Sequence, residues 1–342
     1  MATVGALAMV LATAMPTRAG AIPPPTTTTW SGSQSGLWAN AGNWSAGIPT
    51  SALQAILPGG VTQLGISLPV AAQALQLLVQ AAGYSFSGGT GSSLGIDDNL
   101  IVDGSAASLL VNAVAAITTP TATIGFSSGT SGNLLTLIGS GVSLTVGPSG
   151  SGTLNVGSDG TLNQLKVTAA SALNTVNLWV GGAASALSNS TIIEKLGTVV
   201  SATSSVITGY SGSTNSLTVK ESGSLSTPLL TLGLNGGANG NTVTVSGRDT
   251  GSTTNSQLTV TNELNVGDGG SANLLEVLSN GTLTKSGAGD LNLGKGAGSS
   301  DNQLTVRGLL NQTGGSLMVG RAGDRNSLLV DGGGSLSTGQ AR

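Results

Sequence analysis

An apolar strand that closes on Gly, a short gap, and an Asn that opens the next apolar strand form a phrase that recurs eight times between residues 125 and 330. The glycines are Gly125, Gly157, Gly181, Gly209, Gly233, Gly267, Gly294 and Gly320; the asparagines are Asn133, Asn163, Asn189, Asn215, Asn241, Asn273, Asn302 and Asn326. Every gap is six or eight residues, and the steps from Asn to Asn are 30, 26, 26, 26, 32, 29 and 24. Leu154-Asn155-Val156 and Leu264-Asn265-Val266 precede gaps, while Leu217-Thr218-Val219, Leu258-Thr259-Val260 and Leu304-Thr305-Val306 read as strands that follow them. Such period-two segments put Leu and Val on one face and Thr or Asn on the other. A unit of this size cannot bury its apolar face alone, so it must stack on its neighbours as a solenoid or array.

The remaining composition selects among stacked folds. With 55 Gly in 342 residues, 2% aromatic and 7% charged residues, the core must be small and aliphatic. Abundant Gly, Ser, Thr, Val and Asn argues against helical repeats. A propeller blade would be longer, at about 40 residues. The expected fold is all-β: a right-handed parallel β-helix (β-solenoid), because parallel crossovers are right-handed, with an N-terminal Trp-containing cap. Its coils stack about 4.8 Å apart. Even gaps keep inside and outside positions in step, so the eight-residue corners, such as Ala183 to Ser188 and Leu234 to Gly240, are expected to vary freely. The Asn anchors are expected to adopt positive φ and to bond along the stack as a ladder.

The chain divides into residues 1–21, a signal peptide; 22–29, a Pro/Thr-rich spacer; 30–60, a cap region; 61–120, irregular first rungs; and 121–342, regular repeats. The signal reading rests on the apolar run Gly5 to Met15 followed by Ala19-Gly20-Ala21, although no Lys or Arg precedes that run. It implies a secreted or cell-surface protein. Val70 to Ala82 has helical propensity, but Pro69 and Gly83 bound it and a strand is expected. No later stretch is long and apolar enough to span a membrane. Zero Cys leaves stability to stacking, and zero His with zero Cys removes the commonest transition-metal ligands. No cofactor is expected. Eleven basic and 14 acidic side chains without a basic cluster give no sign of nucleic acid.

Trp30-Ser31-Gly32, Gly36-Leu37-Trp38, Asn43-Trp44 and Gly47-Ile48-Pro49 stand before the Gly/Asn-punctuated rungs. In these features the chain resembles the large bacterial family of secreted proteins with autotransporter-associated β-strand repeats. The resemblance implies a parallel β-helix displayed at the cell surface or released, usually without assigned catalysis. Family members carry a translocator barrel or a short sorting tail; this chain stops at Gly339-Gln340-Ala341-Arg342, where another strand is due, so a truncated sequence is expected. Trp30, Trp38 and Trp44 are expected to plug the open end of the solenoid; the alternative is stacking on extracellular glycans.

Candidate chemistry is sparse. Asp97, Asp98 and Asp103, and further on Arg248, Asp249, Asp268, Asp324 and Arg325, are the carboxylates and partners that a carbohydrate-active β-helix would have to bring together. They share no common offset in the repeat, and solvated turns are expected for them. Asp97, Asp98 and Asp103 could also hold Ca²⁺, although the Gly-Gly-x-Gly-x-Asp pattern is missing. Thr218, Thr244, Thr259 and Thr305 read as one exposed column, interrupted by Lys166, Ile193, Glu276 and Leu329. Trp179 is expected to face away from the core. The functional expectation is a non-enzymatic adhesin, stalk or matrix component whose partners are glycans or surface proteins. A polysaccharide lyase or hydrolase is the alternative, as is a filament subunit joined through the open solenoid end.

Overall fold

The computed structural model describes residues 26–113 and 115–339; the expected signal peptide lies outside them. The chain is a parallel β-solenoid of about 12 turns. Each regular coil has three faces. The strand after each Asn anchor lies on the first face, and these eight strands with three earlier ones stack into one eleven-stranded sheet, from Gly65–Leu68 to Ser327–Val330. The second and third faces belong to a 17-stranded sheet. In several coils, among them Ala172–Val180, Val199–Thr208 and Ser224–Leu232, a single strand runs through both faces and bends where the register shifts by a bulge. The interval from Gly to Asn is the corner that returns the chain from the third face to the first.

The core follows from the alternation. Leu135 and Leu137, Leu165 and Val167, Leu217 and Val219, and Val243 and Val245 stack in register on the first face and are fully buried. Ala72–Val79 is a strand, with Ala72, Ala74, Leu77 and Val79 buried. Solenoid structure begins earlier than expected. Thr27–Thr29, assigned above to a spacer, pairs in parallel with Gln54–Leu57, so residues 30–53 are an excursion from the first coil. At the corner between the second and third faces the buried column mixes Thr119, Thr175 and Thr227 with Val146, Ala202 and Val260. Thr119, Thr175 and Thr227 each donate to the carbonyl two residues on, at 2.8, 2.8 and 2.9 Å, satisfying an acceptor that the bend removes from the sheet.

All eight Asn anchors stack at the third-to-first corner, and the first seven are fully buried. The Oδ1 of each Asn from Asn163 to Asn326 accepts both the backbone N–H and the Nδ2–H of the Asn one coil earlier, at 2.8–3.1 Å. At the N-terminal end Asn133 Oδ1 accepts from Gly104 N–H and Ala107 N–H instead. The Gly anchors serve this ladder from a neighbouring coil: a Cβ on Gly125, Gly157, Gly181, Gly209, Gly233, Gly267 or Gly294 would lie 2.0–2.3 Å from the amide of the second Asn anchor that follows it, Asn163 for Gly125 and Asn326 for Gly294. The Asn residues themselves do not take positive φ. The residue before each does: Gly132, Leu162, Ser188, Thr214, Gly240, Ala272, Asp301 and Arg325, with φ of 54–71°. Six of these eight are not Gly, so the ladder outweighs a local cost of roughly 1–2 kcal/mol per residue.

The corners alternate strictly in length, and the alternation is structural. In each six-residue corner the third residue past the anchor is Gly: Gly160, Gly212, Gly270 and Gly323. A Cβ there would lie 1.9–2.7 Å from the carbonyl oxygen of Thr130, Ala186, Ala238 or Ser299, the fifth residue past the anchor in the preceding eight-residue corner. Ala186, Ala238 and Ser299 are fully buried. In the same corners Gly160, Gly212 and Gly270 direct N–H groups at the anchor carbonyls of Gly125, Gly181 and Gly233. The eight-residue corners therefore dock on the coil that follows them, and the expectation that they vary freely does not hold. Two coils form one unit.

Candidate functional site

Charge is rare in this chain, and six charged side chains meet at one place at the end of the first face. Three consecutive strands, Gln164–Thr168, Ser190–Glu194 and Ser216–Lys220, pair in register so that Lys166 faces Ile192 and Glu194 faces Lys220. Glu194-Lys195 in one coil thus lies against Lys220-Glu221 in the next, with the signs reversed. Glu194 accepts Lys166 Nζ at 2.8 Å and Lys220 Nζ at 3.1 Å, and Thr168 Oγ1–H at 3.3 Å. Lys195 pairs with Glu221, which also lies 3.7 Å from Lys220. Unlike the carboxylates and arginines weighed above, these charges share an offset: Glu194 and Lys220 each stand five residues after an Asn anchor, and Lys195 and Glu221 six.

The sixth charge arrives from an insertion. Residues 247–255 lengthen one coil, and their Asp249 reaches back two coils to Lys195 Nζ, at 3.2 Å. Asp249 Oδ2 also accepts the Leu196 N–H at 3.4 Å, and Asp249 N–H donates to Ser222 Oγ at 2.9 Å. Between the insertion and the strands lies an open groove of about 600 Å³, lined by Thr136, Ile138, Lys166, Thr168, Glu194, Lys195, Leu196 and Asp249 among others.

Electrostatics limits what this groove can do. Glu194 is only 7% exposed. Burial alone would raise its carboxyl, but the hydrogen bonds and charges of Lys166 and Lys220 outweigh burial and hold it below the usual carboxylate range. Asp249 is held low chiefly by Lys195. Lys195 is raised in turn by Glu221 and Asp249. A general acid needs a carboxyl raised toward neutral pH, whereas Glu194 and Asp249 are both ionised and lysine-bound. The arrangement suits recognition of charge.

The other sequence candidates are dispersed. Asp97 and Asp98 sit exposed at the bulge between the second and third faces, where Asp98 accepts Gln76 Nε2–H and Gln76 Oε1 accepts Gln54 Nε2–H at 3.1 Å. Asp103 belongs to a different corner. It accepts Phe126 N–H, Ser127 N–H, Thr130 Oγ1–H and Ser127 Oγ–H at 2.6–3.2 Å, which orders the first eight-residue corner. Among the described residues no three metal-ligating side chains converge. Lys295 joins Glu263 at 3.0 Å and Asp268 at 3.2 Å. Arg325 joins Asp301 at 2.6 Å, and Arg248 Nε donates to Asn255 Oδ1. Asp324 N–H donates to Ser300 Oγ at 3.1 Å.

Trp30, Trp38 and Trp44 are 0%, 1% and 5% exposed, which leaves no ring face for a sugar. Trp44 meets the other two edge-on at centroid distances of 5.0 and 4.9 Å, and Trp38 meets Phe86 at 5.9 Å. Trp30 Nε1 donates to Gln63 O and Trp44 Nε1 to Trp38 O, each at 2.8 Å. Trp179 lies outside the core column, half-buried, with its ring 4.8 Å from that of Tyr210. The true outward column of the first face is Thr136, Lys166, Ile192, Thr218, Thr244, Glu276, Thr305 and Leu329. Thr259 belongs to the larger sheet and Ile193 to the core, both contrary to expectation.

Sequence reasoning missed the lysine–carboxylate network and one buried amine. Lys285 continues the corner column after Thr227 and Val260, and is fully buried. Its Nζ donates to the carbonyls of Gly287, Gly289 and Gly314, and burial pushes its pKa down. No helix among the described residues is long and apolar enough to cross a membrane. No protein-family model, curated protein or solved structure matches the chain.

Proposed function

We propose that this protein is an exported, non-enzymatic surface rod that holds or spaces other components outside the cell. The asparagine ladder carries the reading: seven consecutive links, six of them buried, tie eight coils along one axis, and each link adds stiffness without making a pocket. Ion pairs add to the same axis. Lys166–Glu194, Lys195–Glu221, Lys295–Glu263 and Arg325–Asp301 all connect different coils. A chain without Cys that works outside the cell needs such links in place of disulfides. Export itself is supported by the leader-like segment of residues 1–21.

Two measurements test the reading. Expression of the whole chain in a bacterial host, followed by fractionation and intact mass, should find protein outside the inner membrane and shortened by about 21 residues; full-length protein confined to the cytoplasm would refute export. Small-angle scattering should give a stiff particle roughly 55 Å long, from about 12 coils at 4.8 Å. The hydrolase alternative predicts new reducing ends on incubation with polysaccharides. The surface-rod reading expects none, because Glu194 and Asp249 are held ionised by lysines.

A further inference from the structure

In two coils, just past the first face, a backbone N–H points along the rod to a hydroxyl of a later coil. Ala170 N–H donates to Thr198 Oγ1, and Ser222 N–H to Ser256 Oγ, each at 3.0 Å. Thr198, Gly223 and Ser256 occupy one column, because each directly precedes the aligned residues Val199, Ser224 and Gln257. Glycine therefore stands where the Leu196 N–H would find its hydroxyl. A Cβ at Gly223 would lie 2.7 Å from Ile193 O, so this coil cannot carry the Ser or Thr of its neighbours. The acceptor comes instead from Asp249 on the insertion, whose carboxylate takes the Leu196 N–H and the Lys195 ammonium together.

We propose that Lys195 Nζ and the Leu196 N–H form a carboxylate-recognition site for an acidic peptide segment, and that Asp249 is its resident occupant in cis. The occupant on the page is itself a peptide aspartate, which favours a peptide partner over a sugar acid. Charge complementarity agrees. With Asp249 lifted, Lys166, Lys195 and Lys220 face only Glu194 and Glu221, so the groove becomes net positive. Ile138 and Leu196, 37% and 49% exposed, flank the site and offer an apolar wall to the residues beside the incoming carboxylate. The insertion is tied to the coils by a few polar contacts, Asp249 N–H to Ser222 Oγ, Ser222 Oγ–H to Thr254 O and Asn255 Nδ2–H to Thr282 Oγ1, and none of its own residues is buried, so its carboxylate can leave without opening the core. A tethered competitor at an effective concentration on the order of 1 mM weakens binding in trans without abolishing it.

The test uses the whole chain and a fluorescent peptide with the sequence of residues 247–255, read by anisotropy. Asp249→Ala should bind it at least tenfold more tightly than the unaltered chain. Adding Lys195→Ala to that variant should remove binding, as should replacing the peptide's aspartate by asparagine. Amide exchange at Leu196 should quicken in Asp249→Ala and slow again with peptide. Asp249→Asn keeps a neutral acceptor for Leu196 and serves as the second variant; its affinity should lie between the two. Absence of peptide binding to Asp249→Ala, binding indifferent to Lys195, or binding of polyglucuronate without peptide would overturn the proposal. A cytoplasmic location would refute export and leave this site untouched.

Discussion

Replacing Asn215 by Ala would test whether the ladder holds the coils together. Asn215 Oδ1 is the acceptor for Asn189 N–H at 2.9 Å and Asn189 Nδ2–H at 3.1 Å, while its own Nδ2 donates to Ala186 O at 3.2 Å and Asn241 Oδ1 at 3.1 Å. Truncation leaves both Asn189 donors and the Ala186 carbonyl without these partners in a site closed to water. At about 1–3 kcal/mol for each buried group left unpaired, and with partial relaxation, the loss should be about 3–5 kcal/mol. Gly181 supplies the control, because its φ is +80° and a Cβ there would lie 2.1 Å from Asn215 Nδ2. Gly181→Ala alone should therefore cost both backbone strain and ladder displacement. In the Asn215→Ala background the collision is gone and only strain of about 1–2 kcal/mol remains. A double-mutant cycle by urea unfolding, with hydrogen exchange at Asn189 to localise the effect in a quasi-one-dimensional fold, should give a favourable coupling above about 1 kcal/mol. Additive costs, or a loss below about 1 kcal/mol for Asn215→Ala, would refute the account.

The same logic separates two glycines of equal φ. Gly267→Ala should destabilise by at least about 2 kcal/mol more than Gly320→Ala, because a Cβ at Gly267 would meet Asn302 at 2.2 Å while one at Gly320 meets only Gly323 O at 3.4 Å; thermal melts of the two variants decide it. Trp44→Ala removes an edge contact to both other tryptophans and the bond to Trp38 O, and should cost about 3–5 kcal/mol and lower the melting temperature. Glu194 is held below its ordinary carboxylate value in the fold, so its stabilising contribution is complete above that ordinary value and is lost as pH falls through the lower folded one. Unfolding curves across the acid range should show Glu194→Gln less acid-sensitive than the unaltered chain; identical pH profiles would refute the pairing.

The period and the alternation made the solenoid legible, because they encode inside and outside directly. Details that depend on register were harder. Asn was expected to adopt positive φ, yet none of the eight anchors does, and the turn falls instead on the residue before each, among them Leu162, Thr214 and Arg325, which resist that conformation. Leu258-Thr259-Val260 looks like Leu217-Thr218-Val219 but follows the 247–255 insertion and so enters the other sheet. Placing Ile193 outside is a slip of one residue, enough to invert a strand. The charged groove was visible only by laying Glu194-Lys195 over Lys220-Glu221, one period of 26 residues apart. Nothing local marks Lys285 as buried; inside, its ammonium is satisfied by the carbonyls of Gly287 and Gly314.

The pairing of long and short corners governs how such a chain can change size. Loss of a single coil would set two eight-residue corners, or two six-residue ones, against each other, and the glycine that receives the neighbouring carbonyl would face the wrong partner. Loss or gain of two coils, for instance the 52 residues from 164 to 215, keeps long and short corners alternating at the new junction, since Asn163 and Asn215 both follow six-residue corners. Duplication and deletion within this gene should therefore proceed by coil pairs. The rod is then a ruler whose smallest division is roughly 10 Å.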